Sequence, residues 1–248
     1  MKDIDFTKTC YIFDVDGTLT EPRKEIDNNF KKLFLKWAKN KQVFISTGSD
    51  YPKAKKQLSK DVIEEIKLIF CCMANEIRDP SGKILEKSDF IIPQDLEDDL
   101  ANFLKVTKFS YKTGNHLEFR TGMLNFSIVG RNANPKEREE YCKWDIINQE
   151  RKSISDFINK EYPSLEASIG GSISIDIIEK SKDKGQTITY LKNKGMKKVV
   201  FIGDKCYEGG NDYGIIRELL KSNLVFEWYN VSGFLDTEKL IKENISFK

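Results

Sequence analysis

Histidine is nearly absent from this chain: one residue, His116, in 248. That excludes multi-histidine zinc sites and the two-histidine iron triad, and any Ser-His-Asp or Cys-His relay must run through that single side chain. The five cysteines (Cys10, Cys71, Cys72, Cys142 and Cys206) are odd in number and show no C-x-x-C spacing. They read as free thiols in a reducing compartment. No apolar run approaches the length of a membrane span. The opening MKDIDF places two acids ahead of any apolar stretch, which argues against a signal peptide. Internal repeats, low-complexity tracts and long like-charge blocks are missing too. The 41 Lys and Arg nearly cancel the 39 Asp and Glu, and no basic stripe with interleaved aromatics occurs. Neither nucleic acid nor an anionic membrane is therefore expected as a partner, and the expected location is cytoplasmic. Carboxylates and bases are abundant, so the chemistry to look for is carboxylate chemistry on a charged substrate.

With 39% hydrophobic and 11% aromatic residues, the length suits one large domain or two smaller ones, each with a real core. From residue 10 to 75 the pattern reads β-α-β-α-β. Short apolar strands at Cys10–Phe13, Val43–Ile45 and Leu68–Met73 alternate with helical spacing through Ile26–Trp37, Tyr51–Leu58 and Asp61–Ile66. Asp79–Gly82 is a turn inside a hairpin. The pattern then changes. Pro93–Val106 predicts one amphipathic helix, and Pro135–Phe157 one long polar helix. Thr121-Gly122 and Gly170-Gly171 each centre a hairpin. Alternation returns with a helix over Gly185–Lys192, a strand over Lys198–Ile202, a helix over Ile215–Leu220 and a strand over Leu224–Trp228. The expected fold is α/β, a doubly wound parallel-sheet core interrupted by an α+β insert of antiparallel strands and helices. The expected boundaries are 1–85 for the first part of the core, 86–186 for the insert and 187–248 for the second part.

The strongest chemical signal is Phe13-Asp14-Val15-Asp16-Gly17-Thr18-Leu19-Thr20, directly after a strand. In parallel sheets, sites lie outside the carboxyl ends of strands. Two carboxylates two residues apart at that point can enter one crevice, and Gly17 allows a sharp turn away from it. An Asp-Gly surface turn is common by itself, but this longer string after an apolar strand is not. Three more groups stand in order behind it. Thr47 ends the second strand, although alone it reads as the N-cap of the helix from Tyr51. Lys184 precedes a helix and alone reads as a solvated lysine. Asp204 ends the Val199–Ile202 strand, ahead of Gly209-Gly210-Asn211-Asp212.

This ordered set of acid pair, hydroxyl, lysine and acidic loop resembles the haloacid dehalogenase-type phosphotransferase superfamily. The resemblance implies Asp14 as a nucleophile that forms an aspartyl-phosphate, and Asp16 as the general acid/base. It places Thr47 and Lys184 on the phosphoryl oxygens, and Mg²⁺ on Asp14, the Asp16 backbone carbonyl and Asp204, with Asn211 or Asp212 nearby. Like charges and burial are expected to raise the Asp16 pKa toward the protonated form a general acid needs.

Within the insert, Arg120, Arg131 and Arg138 are placed so that they can converge on one surface and grip an anion by forked hydrogen bonds, although each alone is an ordinary surface arginine. Asp176 alternates with Ser174 along one strand face. The series E-F-R-x-G-M-L-N, G-R, E-R-E and S-I-G-G-x-I-S-x-D is similar to the cap of eukaryotic-type phosphomannomutases. The strings F-D-V-D-G-T-L-T-x-P-R and G-D-K-x-x-x-G-G-N-D match that family's core. This resemblance spans Tyr11 to Asp212. It implies Arg23, Arg120, Arg131, Arg138, Ser174, Asp176, Gly170 and Gly171 as substrate positions, and cap arginines that hold the phosphate not reacting. It also implies a hexose 1,6-bisphosphate activator, cap-to-cap homodimers, and interconversion of mannose 6-phosphate and mannose 1-phosphate for GDP-mannose synthesis. Departures are visible. The family's D-G-W-D-K is Glu179-Lys-Ser-Lys-Asp183-Lys184 here, and its second cation loop is not evident in Tyr213–Leu220, where Glu218 is a weak candidate. A sugar-phosphate phosphatase on the same core is the alternative, and a non-catalytic module derived from such an enzyme is a more distant one.

Overall fold

In the computed structural model, which describes residues 4–243, the first strand is β1 (Cys10–Phe13). It is followed by α1 (Asn28–Ala38), β2 (Gln42–Ser46), α2 (Tyr51–Glu65) and β3 (Leu68–Cys71). These strands are buried at every position, and their side chains alternate between two apolar layers. Tyr11, Phe13, Val43, Ile45, Ile69 and Cys71 belong to one layer. Cys10, Ile12, Phe44, Leu68 and Phe70 belong to the other. A strand covered on both faces carries an unbroken apolar run, which is why each reads as one in the sequence. The acidic opening Met1–Asp3 lies outside the described residues.

A short hairpin, β4 (Glu76–Arg78) and β5 (Ile84–Lys87), adds two antiparallel strands at one edge. The chain then enters a separate body: α3 (Gln94–Val106), β6 (Leu117–Arg120), β7 (Met123–Phe126), α4 (Pro135–Asn148), α5 (Glu150–Glu161), β8 (Leu165–Gly170) and β9 (Ser174–Glu179). It returns through α6 (Gln186–Asn193), β10 (Lys198–Gly203), α7 (Tyr213–Leu220), β11 (Val225–Asn230) and α8 (Phe234–Lys242). The larger sheet runs β11-β10-β1-β2-β3-β4-β5 and the smaller runs β6-β7-β9-β8. All pairs from β11 to β3 are parallel, and every pair in the smaller sheet is antiparallel.

Two compact units result: Met1–Lys87 with Ser181–Lys248, and Ser88–Lys180. The segment Ser181–Gln186, which the sequence reading groups with the insert, is part of the core unit because Lys184 and Lys182 bond there. In the insert, Leu124, Phe126, Ile175 and Ile177 from the sheet pack with Tyr141, Ile154 and Ile158 from the helices.

Two elements depart from expectation. The long helix over Pro135–Phe157 is broken in two at Gln149, which takes a left-handed conformation (φ 52°). Buried Asp145 makes the break: its carboxylate accepts from the Arg151 backbone N–H (2.9 Å) and pairs with the Arg151 guanidinium (2.8 Å). That replaces the helical continuation with a side-chain cap. At the chain's other end, α8 has no counterpart in the sequence reading. Its Thr237 hydroxyl donates to the Thr18 carbonyl (2.7 Å), which fastens it under the acid-rich loop. No helix among the described residues is long and apolar enough to cross a membrane.

Candidate active site

The loop after β1 folds on itself around one carbonyl. Val15 O accepts from the N–H groups of Thr18 (3.2 Å), Leu19 (3.0 Å) and Thr20 (3.0 Å). Gly17 sits at φ +86°, and a Cβ there would lie 2.5 Å from Asp204 Oδ2. Only glycine permits both the turn and the approach of that carboxylate. Asp14 is thereby held at the strand end, with its N–H on the Ile202 carbonyl (3.0 Å), and its side chain is buried.

Lys184 is the centre of the site. It is fully buried, and its Nζ donates to Asp14 Oδ1 (2.5 Å) and Asp212 Oδ1 (2.7 Å). A solvated lysine is thus excluded. Burial works against its charge, but Asp14 and Asp212 more than reverse that, so the ammonium is held firmly protonated. Burial pushes Asp14 above the usual carboxylate range, Lys184 pulls it back and Asp212 adds to the rise. Asp14, Asp204 and Asp212 each bring a carboxylate oxygen to within 4.8 Å of the others. Burial also raises Asp204, whose Oδ1 is buried with no hydrogen-bond partner. Three hard oxygen donors, one of them without a donor of its own, fit a divalent cation such as Mg²⁺. Asp212 orients its other oxygen onto the Lys205 N–H (3.1 Å). Asn211 is exposed on the loop, so of the two neighbours it is Asp212 that joins the acids. Glu218 pairs with Arg217 and Lys221 instead. Cys206 is buried near these acids; burial first, then Asp212, pushes its thiol up to about 12, which removes it as a nucleophile.

The second acid goes elsewhere. The Asp16 carboxylate leaves the Asp14 cluster and takes four donors: the Arg23 N–H (2.6 Å), Gln57 Nε2 (2.8 Å), Lys53 Nζ (2.9 Å) and Ser49 Oγ (3.3 Å). Burial favours protonation, but these hydrogen bonds and the Lys53 charge together outweigh it and lower the pKa. The expectation of a raised Asp16 pKa is therefore corrected: in this arrangement Asp16 is ionised. Of these donors the sequence reading gave a role only to Arg23, as a substrate position; Ser49, Lys53 and Gln57 had none. Their one visible signal was spacing, since Ser49, Lys53 and Gln57 recur four apart on the approach to and along α2.

Thr47 is buried, and its Oγ1 accepts from the Ser49 N–H (3.1 Å), which leaves its hydroxyl hydrogen to donate. It does not cap α2. That role belongs to Asp50, which accepts from the Lys53 N–H (2.9 Å). Arg23 has φ 65° and an exposed side chain, and it contributes its backbone N–H to Asp16.

In the insert, two of the three candidate arginines meet at one acid. Arg120 Nε and Arg131 Nε reach the two oxygens of Glu118 at 2.8 and 2.5 Å. The Arg120 bond, opposed by burial and joined by Arg131, holds Glu118 below its ordinary range. Arg138 is used differently. Its guanidinium donates to the carbonyls of Ala133 (2.8 Å) and Arg131 (2.7 Å), so it braces the backbone that carries Arg131. On β9, Asp176 accepts from Asn125 across the register. A Cβ on Gly170 would lie 2.4 Å from that carboxylate, and Ser174 Oγ donates to the Gly170 carbonyl (3.0 Å). Gly171 turns at φ +45°. His116 places Nδ1 2.8 Å from the Ser127 carbonyl and touches none of these groups. His116→Asn is accordingly expected to keep activity within about twofold of the parent, since one neutral hydrogen bond is worth only about 1 kcal/mol; a steady-state assay checks this.

Comparison with known proteins places the chain in a family. The chain is 35% identical over 217 residues to phosphomannomutase 2 of Dictyostelium discoideum, covering 84% of this chain and 86% of that protein. It is 34% identical over 219 residues to phosphomannomutase of Saccharomyces cerevisiae, covering 84% and 85%. A haloacid dehalogenase-like hydrolase from Bacteroides thetaiotaomicron shares the fold, with a TM-score of 0.60, 13% identity, and coverage of 96% of this chain and 99% of that one. The model of the family described as eukaryotic phosphomannomutase matches residues 30–245, and the chain belongs to that family.

Proposed function

We propose that this protein interconverts mannose 6-phosphate and mannose 1-phosphate through an aspartyl-phosphate on Asp14 and a hexose 1,6-bisphosphate intermediate. The observation that carries this reading is the buried ammonium of Lys184 between Asp14 and Asp212. A carboxylate that attacks a phosphate dianion needs opposite charge fixed beside it in a site closed to water.

The cycle starts with Asp14 phosphorylated by the activating bisphosphate. The free hydroxyl of the sugar monophosphate attacks that phosphorus while Asp16 takes the hydroxyl proton. The bond between phosphorus and Asp14 breaks, restoring the carboxylate and giving a bisphosphate. After the bisphosphate turns end for end, Asp14 attacks its other phosphate, and Asp16 returns the proton to the leaving oxygen. An ionised Asp16 enters this cycle as the base, as its four donors favour. Lys184 and the Thr47 hydroxyl hold the phosphoryl oxygens. Asp14, Asp204 and Asp212, with the Asp16 carbonyl, would hold Mg²⁺, which when bound supplies further neutralisation of phosphoryl charge. Arg120 and Arg131 take the non-reacting phosphate, with Arg23, Ser174 and Asp176 on the sugar and its phosphates.

A coupled assay of mannose 1-phosphate conversion, run with and without added hexose 1,6-bisphosphate, tests the reading. Bisphosphate-dependent formation of mannose 6-phosphate supports it, whereas release of inorganic phosphate alone would make the protein a phosphatase. Arg131→Ala is expected to raise KM for the monophosphate roughly ten- to a hundredfold, the worth of one charge-assisted contact of about 1.5–3 kcal/mol. An unchanged KM would remove the arginines from the substrate. The reading includes a cytoplasmic location, which suits the free cysteines, and a cap-to-cap dimer, which suits exposed Ile146 and Ile147 on α4. Solution scattering measures the second.

A further inference from the structure

Between β2, β3 and α6 runs a polar seam that no step above uses. After β3 the chain passes through three consecutive non-glycine residues in the left-handed region: Cys72 (φ 51°), Met73 (φ 59°) and Ala74 (φ 67°). Such a run is sterically costly and persists only where its surroundings over-determine it. On one side the turn grips the loop that carries Thr47. The Cys72 N–H donates to the Ser49 carbonyl (3.0 Å) and the Met73 N–H to the Thr47 carbonyl (3.1 Å). The Met73 side chain lies over Gly48, where a Cβ would meet its Cε at 3.0 Å. On the other side the turn is tied to the segment that carries Lys184. Gln186 Nε2 donates to the Met73 carbonyl (3.0 Å) and to Asn75 Oδ1 (3.3 Å). Asn75 Nδ2 in turn donates to the Cys72 carbonyl (2.9 Å) and the Lys182 carbonyl (3.4 Å).

We propose that Gln186 is a positioning residue: it latches the left-handed turn and so sets Thr47 relative to Lys184, so that two oxygens of the transferring phosphoryl group are gripped together. The proposal rests on the phosphotransfer reading above. The amide suits the task because its two hydrogens go to two different members of the turn. Neither hydrogen bond can be made by an apolar side chain of the same length, and without them the Asn75 amide is left as the tie between the strained turn and the segment that carries Lys184.

The test is Gln186→Met, which keeps the length of the side chain and removes both donors. With mannose 1-phosphate and bisphosphate, kcat is expected to fall roughly ten- to a hundredfold, the usual consequence of a small misplacement of a positioning group. KM should stay within about twofold, because the insert's arginines are untouched. Binding of beryllofluoride with Mg²⁺, read by fluorine NMR as an aspartyl-phosphate mimic, should weaken by a similar factor to kcat. A lower melting midpoint with unchanged kcat and unchanged beryllofluoride affinity would overturn the proposal, because the seam would then be only structural. If the methionine variant does not fold, Gln186→Glu carries the same expectation and the same overturning result, since it sets an acceptor against the Met73 carbonyl. Failure of the underlying reading looks different. A parent protein that binds beryllofluoride but does not convert mannose 1-phosphate defeats the choice of sugar and leaves the latch measurable.

Discussion

Asp14→Asn is expected to lose at least about 10⁴-fold in turnover and to melt no lower than the parent protein. On the proposed phosphotransfer reading the loss follows from removing the nucleophile: an amide oxygen does not form the acyl phosphate, and the remaining groups bind without transferring. The stability follows from the same burial. Asp14 has its pKa raised in the folded state, chiefly by desolvation. A carboxyl that binds its proton more tightly when folded than when unfolded costs stability at any pH above its unfolded value, neutral pH included. Asparagine removes that cost, keeps the volume, and still offers an oxygen to Lys184, which retains Asp212 at 2.7 Å. Scanning calorimetry and the coupled assay measure the two halves. Near-parental turnover would remove Asp14 from the chemistry, and a large fall in melting temperature would mean that the carboxylate is a structural partner first.

Lys184→Met should show the opposite balance, with both activity and stability falling. Removal of the ammonium leaves Asp14 and Asp212 buried and close, with Asp204 near them and no cation of the protein between. Breaking a buried pair in this way costs about 3–5 kcal/mol, which for a chain of this size lowers the melting temperature by roughly 10 °C. Turnover should drop by roughly 10²–10³-fold through loss of a fixed positive charge at the phosphoryl oxygens. Adding Asp212→Asn to Lys184→Met should restore part of the stability and none of the activity, because it removes one uncompensated charge without returning a cation. If the single variant melts with the parent, the two carboxylates are not ionised against Lys184, and the charge balance described above is wrong.

These two residues differ in how visible they are in sequence. Asp14 is marked by its strand and by Gly17, because the backbone requirement and the chemistry fall on one short stretch. Lys184 is one of 41 basic residues, and only its order behind Asp14 and Thr47 distinguishes it; its burial is a tertiary fact. The doubly wound core was legible for the same local reason, since strands covered on both faces spell continuous apolar runs. The break at Gln149 was not, because a buried carboxylate 4 residues earlier makes it and no glycine or proline marks it. The state of Asp16 was hidden as well. Its charge is fixed by Arg23, Ser49, Lys53 and Gln57, gathered from two stretches of chain, whereas reasoning from burial and neighbouring acids pointed the other way. The three candidate arginines of the insert looked equivalent in sequence, and only their side-chain contacts show that Arg138 holds carbonyls while Arg120 and Arg131 share Glu118.

The order of strands in the larger sheet has a consequence for how the chain is made. β1 is central and takes β10 as one of its two neighbours, with Phe13 opposite Ile202. The partners of Asp14 are encoded later still than the whole insert. On a ribosome, where domains fold as units in the order they emerge, the contiguous insert Ser88–Lys180 is complete before the core can close. The insert then spans the loop whose closure joins β1 to β10, and a folded, short-circuited loop costs less entropy to close than a free chain of the same length. Until that closure, β1 presents an apolar edge and Asp14 stays solvated. Asp14 is therefore buried only after the chain beyond the insert has joined it, together with the lysine that balances it.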